Sequence, residues 1–314
     1  MNPAADRNGK DLWAISCYFN PAAYRRRLAN YRVFRERLSV PLVAVELAYH
    51  PNFELDEKDA EILVQLRGRD IMWQKERLLN VALQAVPSSC RKVAWLDCDV
   101  IFEADDWAER TSLLLDRFPM VQPFNQVYRM SGEWQPGRPP PAGSELRRSV
   151  PFLIASGMPA TTCIEKPAVD VGCLHGHAWA ATREVLEGRG FYDACIIGGG
   201  DSALLRAAYG CFEYMMGRLR MNTRRREHYL FWANAFHAAV RGQIACIQGD
   251  LAHLWHGKSE HRRRLQRHEG LASFQFDPFE DIAIDRNGAW RWSSDKPGMH
   301  EYVRNYFVSR REDG

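Results

Sequence analysis

Apolar positions in this chain alternate between short, nearly unbroken runs and stretches of helical spacing. Leu12–Phe19, Pro41–Ala48 and the shorter Ile62–Leu66 are near-continuous apolar runs, each broken by a single polar residue, and the sharpest is Val93–Phe102, which carries Asp97 and Asp99. Runs of this kind read as strands covered on both faces of a mainly parallel sheet. Between them the pattern predicts a helix opened by Pro21 and running to about Leu38, a second over Ile71–Ala85, and a third starting at Asp105-Asp106, whose acids suit its positive end. Strands and helices in alternation predict an α/β layered domain.

After a strand at Met120–Phe124, the proline- and glycine-rich stretch Gly132–Gly143 reads as a loop, either a lid or a plain surface excursion. Order returns with Val171–Ala181, a helix at Thr182–Glu187, the turn Ile197-Gly198-Gly199-Gly200-Asp201 and a helix from Ser202 to about Tyr209. A helix over His228–Arg241 precedes a strand Ile244–Leu254 that runs into Trp255-His256-Gly257, and Gly298–Arg311 reads as a closing helix. This divides the chain into a first half over 1–130, a second half of the same domain over 131–260, and a helical C-terminal extension over 261–314. There is no internal repeat.

Composition narrows the function classes. Among 314 residues, 42 Lys and Arg face 39 Asp and Glu, a net charge of +3, so bulk electrostatics do not demand a nucleic-acid partner. Arg224-Arg225-Arg226 reads as solvated helix surface. No segment reaches the roughly 20 apolar residues of a membrane helix, and Met1–Asp11 is polar without an apolar leader, so a cytoplasmic protein is expected. Eight scattered cysteines suit reduced thiols. Cys163, Cys173, His175 and His177 match no usual zinc spacing.

Candidate chemistry starts at Asp97 and Asp99. Two residues apart at the end of a strand, their carboxylates fall on one side and could share a divalent cation at the carboxyl edge of the sheet, where such folds bind ligands. The ordinary alternative is an acidic cap on the next helix.

A strand ending in D-x-D, a glycine-rich turn ending in Asp at a helix start, and a strand ending in W-H-G stand in one order. With Gln74–Asn80, Gly172–Tyr209 and Leu254–Gly257, this order resembles the GT-A nucleotide-sugar glycosyltransferases, especially family 2 enzymes with a β-galactosyltransferase-like C-terminal region. The resemblance implies a Rossmann-like GT-A domain, a nucleoside-diphosphate sugar donor, with UDP expected, and Mn²⁺ or Mg²⁺. It implies Asp99 as a direct metal ligand, Asp97 on the metal or the ribose, and His256 completing the protein ligands; an added imidazole favours Mn²⁺. His253, three residues earlier, is expected to point elsewhere.

An acceptor hydroxyl needs a general base, and Asp201 is the candidate, with a simple N-cap as the alternative. Gly199 and Gly200 let the backbone approach the sugar. Gly200 stands where G-G-E-D-like turns carry an acid, which leaves donor identity and inversion at the anomeric carbon open. Tyr18, Asn20, Glu46, Lys75, Arg77 and Asn80 are the candidate nucleotide contacts, and Arg262 and Arg263 the candidate diphosphate clamp. The acceptor, whether saccharide, lipid carrier, peptide or modified nucleic acid, is not encoded in these motifs. Two other classes stay open: a nucleotidyltransferase, which would want a basic glycine-rich loop where Phe19-Asn20-Pro21-Ala22 stands, and a non-catalytic carbohydrate-binding protein.

Overall fold

Four apolar runs form the parallel part of one sheet. The computed structural model describes residues 11–314, so the polar opening stretch expected at Met1–Lys10 lies outside the described residues. In chain order the strands are β1 Leu12–Phe19, β2 Leu42–Ala48, β3 Ile62–Arg67, β4 Lys92–Leu96, β5 Val100–Phe102, β6 Met120–Gln122, β7 Gln126–Arg129, β8 Glu145–Ser149, β9 Cys173–Leu174, β10 Ala178–Thr182, β11 Ile244–Cys246 and β12 Asp250–His253. The main sheet has the order β11-β6-β10-β4-β1-β2-β3, parallel throughout except for β10. This is the expected mainly parallel α/β sheet. Side chains alternate across it: Val93 and Trp95 enter one apolar core, Ala94 and Leu96 the other.

The expected single strand Val93–Phe102 is instead two strands in two sheets. β4 stays in the main sheet, while β5 pairs with β12 in a second sheet of order β5-β12-β7-β8-β9. The expected strand Ile244–Leu254 splits in the same way into β11 and β12, and Met120–Phe124 stops at Gln122 before the chain resumes as β7. Apolar periodicity cannot tell a straight strand from two short ones joined by a bend. Here the bend is tied on both sides, since Asp97 N–H donates to His177 O at 2.7 Å and Leu254 N–H to Asp99 O at 2.8 Å. All three breaks fall along one line, where the two sheets part.

Helix starts also move. The first helix spans Arg25–Arg37, because the Asn20 side chain accepts from Tyr24 N–H and holds 20–24 in a turn. The second begins at Lys75, as Trp73 N–H is spent on Ile196 O. The helix expected from His228 starts at Thr223, capped by Asn222, and Arg225 on it is buried and donates to Leu219 O. The turn helix begins at Gly200 rather than Ser202. The expected closing helix is Pro297–Ser309. Residues 261–314 are not wholly helical, for Ile282–Ile284 and Trp290–Trp292 pair as a hairpin. This segment returns to the first helix, where Glu312 binds Arg27 at 2.5 Å. The loop 132–143 links β7 to β8 and lines no part of the main cleft. All eight cysteines are free thiols.

Candidate active site

A cavity of about 800 Å³ opens at the carboxyl ends of β1 and β4, along the line where the two sheets separate. Asp97, Asp99, Lys75, Asp201 and His256 all face it.

Asp99 meets a group of imidazoles. Its Oδ2 lies 3.1 Å from His256 Nε2 and 3.7 Å from His253 Nε2, and those two nitrogens are 3.1 Å apart. The His177 ring stacks on His253 with centroids at 4.2 Å. Asp99, His177 and His253 each offer a ligand atom, all within 4.8 Å of one another. Asp99 Oδ1 and His177 Nε2 are buried with no hydrogen-bond partner among the described residues. Burial holds His253 well below the usual imidazole range and His256 down to about 3, with Arg262 adding to both. A neutral imidazole keeps a lone pair that can serve a metal, although on His256 Nε2 that lone pair accepts from Arg262.

The convergence of Asp99 with His256 is the arrangement expected from the sequence. His253 does not point elsewhere: β12 ends at His253 and the chain turns, which brings both rings to Asp99. His177 was missed. It sits at φ +79°, a strained conformation for a residue with a side chain, which sequence alone does not reveal.

Asp97 does not share a face with Asp99, because residues 97–99 form the bend and not a strand. Its Oδ1 takes the Lys75 ammonium at 2.5 Å and its Oδ2 faces His177 Nδ1 at 3.3 Å. Burial opposes the charge, but Lys75 and His177 hold the Asp97 carboxyl below the usual range. A carboxylate on Nδ1 orients an imidazole so that Nε2 is left to a metal. Lys75 also donates to both oxygens of Asp201, at 2.8 and 3.0 Å.

Asp201 is the second residue of the Gly200–Ala208 helix; Gly199, at φ +108°, is its N-cap, so the side chain is not used as the cap. A Cβ on Gly176 would stand 2.7 Å from Asp201 Oδ2, so a side chain there would push Asp201 aside. Burial and Asp97 raise the Asp201 carboxyl above its usual range, against the pull of Lys75.

Gly200 has a neighbour that accounts for it. A Cβ there would stand 1.9 Å from Oε1 of buried Glu76, so Glu76 fills the volume that an acidic side chain at 200 would occupy. Gly200→Ala should cost about 1–3 kcal/mol in urea unfolding by overpacking, and Glu76→Ala in the same chain should recover most of it. Burial, with a smaller push from Asp201, raises Glu76 to about 8. A carboxyl raised in the folded state stabilises the fold below its ordinary value of 4.5 and loses that contribution as pH rises through about 8. Glu76→Gln lacks this loss. Its melting temperature relative to the parent should therefore climb between pH 6 and 8, at most by the equivalent of about 1.4 kcal/mol per pH unit.

The other expected contacts divide. Tyr18, Asn20 and Glu46 are buried and line no part of the cleft: Tyr18 and Asn20 donate to Glu54, and Glu46 accepts from Glu54 N–H and Gln65. Arg77 and Asn80 point to a separate pocket and bind Asp193, at 3.0 and 2.9 Å. Arg262 and Arg263 line the cleft, with Arg262 Nη2 donating to His256 Nε2 at 2.6 Å. Gly199 lines it too, while Gly200 packs on Glu76. Cys173 and His175 touch at 3.6 Å apart from the Asp99 cluster, so the Cys/His set rejected from spacing forms no single centre.

No family model matches this chain, and no curated protein does. Among solved structures it is similar to glucosyl-3-phosphoglycerate synthase from Mycobacterium tuberculosis, in complex with Mn²⁺, UDP and glucosyl-3-phosphoglycerate. That overlap has a TM-score of 0.44 at 13% identity and covers 85% of this chain and 78% of the other. S. aureus TarS in complex with UDP-GlcNAc overlaps at 0.38 and 11% identity, over 79% of this chain and 59% of that one. A 4-diphosphocytidyl-2C-methyl-D-erythritol synthase from Anaerococcus prevotii overlaps at 0.35 and 9% identity, over 77% and 88%. These overlaps are loose, and the functional reading rests on the site itself. No helix among the described residues is long and apolar enough to cross a membrane.

Proposed function

We propose that this protein is a metal-dependent glycosyltransferase that moves a sugar from a nucleoside diphosphate, UDP first among them, to an acceptor hydroxyl. The observation that carries the reading is the meeting of Asp99 with His177, His253 and His256 in a basic cleft at the carboxyl edge of the sheet. The partnerless Asp99 Oδ1 and His177 Nε2 fit a cation, and a mixed carboxylate–imidazole set suits Mn²⁺ better than Mg²⁺. When bound, the cation supplies charge stabilisation to the departing diphosphate.

The chain's own groups do the rest. Arg262 and Arg263 lie where they can bind phosphate oxygens. Asp201 takes the proton from the acceptor hydroxyl as its oxygen bonds to the anomeric carbon; the bond from that carbon to the β-phosphate oxygen breaks, and UDP leaves with the electron pair. Lys75 bridges Asp97 and Asp201 as a shared counter-ion, and Asp97 orients His177. One base and one displacement give inversion.

The test is UDP-sugar hydrolysis or transfer after EDTA treatment, with and without Mn²⁺ restored. Activity should vanish and return with the metal. Full turnover without metal would overturn the reading, and pyrophosphate release from a nucleoside triphosphate would favour a nucleotidyltransferase.

A further inference from the structure

We propose that the acceptor is itself an anion, carrying a phosphate or carboxylate group held on the Asp201 side of the cleft by Arg218, Arg264 and Arg267. The word acceptor rests on the transferase reading above; the anion rests on the arginines alone.

The cleft has more positive charge than the chain balances. Nine arginines and Lys75 line it, against five carboxylates. Arg27 and Arg310 close on Glu312, and Arg129 and Arg147 on Glu145. Arg218, Arg262, Arg263, Arg264 and Arg267 have no carboxylate within 4.0 Å among the described residues. Arg262 sits on His256, beside the cation cluster, and with Arg263 accounts for the donor diphosphate.

The remaining three also line the cleft, and Arg267 stands against the glycine turn. The Arg267 guanidinium lies 3.3 Å from where a Cβ would stand on Gly198, His268 packs 3.5 Å from the same point on Gly199, and Asp201 follows two residues on. Arg218 lines this wall, and burial with the charges of Arg206, Arg218 and Arg264 drives His175 well below the imidazole range. Behind His175, Arg206 is fully buried; its Nη1 faces His175 Nδ1 at 3.2 Å, while Nε and Nη2 have no partner among the described residues. Its Nη1 also reaches Ser202 O at 3.5 Å and its guanidinium lies over the Tyr214 ring, so the chain holds Arg206 in place and its charge adds to the field behind the cleft. This half of the cleft therefore carries more positive charge beside the base than the chain's own carboxylates pair with. A substrate that delivers its hydroxyl to Asp201 and its charge to these arginines fits both features.

The test uses glycerol phosphate as a soluble phosphate monoester and vesicles containing phosphatidic acid as a lipid-borne one. Each is titrated into the full chain saturated with UDP and Mn²⁺, which removes the diphosphate site as a competing seat. Calorimetry and vesicle co-sedimentation should show binding of one or both. Arg264→Gln and Arg267→Gln should each weaken it at least tenfold while UDP·Mn²⁺ affinity stays within about twofold, and Arg267→Lys should keep most of it. Soluble binding assigns a small metabolite, and binding to vesicles alone assigns a lipid headgroup. Binding of neither, binding unchanged in both Gln variants, or loss of UDP·Mn²⁺ affinity in their place overturns the proposal. If the parent protein fails to bind UDP·Mn²⁺, the transferase reading falls, and the same titration without nucleotide still tests the arginine wall.

Discussion

Asp99→Ala should lower metal-dependent donor turnover by about 10³ or more, since a cation at a departing diphosphate supplies several kcal/mol and each 1.36 kcal/mol is tenfold in rate. Among the described residues, Asp99 is the one carboxylate whose oxygen faces both His253 and His256, and its second oxygen has no partner there. Removing it leaves neutral imidazoles, which hold a divalent cation weakly. The fold should survive, because the backbone tie from Leu254 N–H to Asp99 O does not involve the side chain. Calorimetry with Mn²⁺ and steady-state turnover check this together. Turnover within threefold of the parent would remove Asp99 from the metal site.

Asp201→Asn should reduce kcat by about 10² or more with UDP·Mn²⁺ affinity nearly intact. The amide keeps the shape and can still accept from Lys75, but it cannot take a proton. The carboxyl is raised by burial and by Asp97, so the acid limb of the parent's rate should lie above the ordinary carboxylate range. A base works only when deprotonated, so the rate climbs with pH through that limb, and the variant should lose it. Parent-like turnover in Asp201→Asn would make the residue structural.

These two positions also show how far the sequence reaches. Asp99, His256, Asp201 and the cleft glycines stand at the ends of apolar runs or at a helix start, where residue type and spacing leave a signal. Glu76 leaves none of this kind, and His177 stands out only within a Cys/His set rejected on spacing, because each acts through a partner far away in the chain. Glu76 shows this most plainly: the sequence shows an acid missing at Gly200, but not that a buried carboxyl 124 residues earlier fills its place.

The apolar runs alone determined a mainly parallel α/β sheet with both faces covered, since uninterrupted burial has few other solutions. They did not determine where the runs bend. Whether Val93–Phe102 is one strand or two depends on hydrogen bonds to His177, next to β10 in the main sheet, and to Leu254, next to β12 in the second, and both are contacts far apart in the sequence. That bend turns Asp97 toward Lys75 and Asp99 toward the imidazoles. Spacing along a chain sets which residues can share a face, but the tertiary contacts set which face it is.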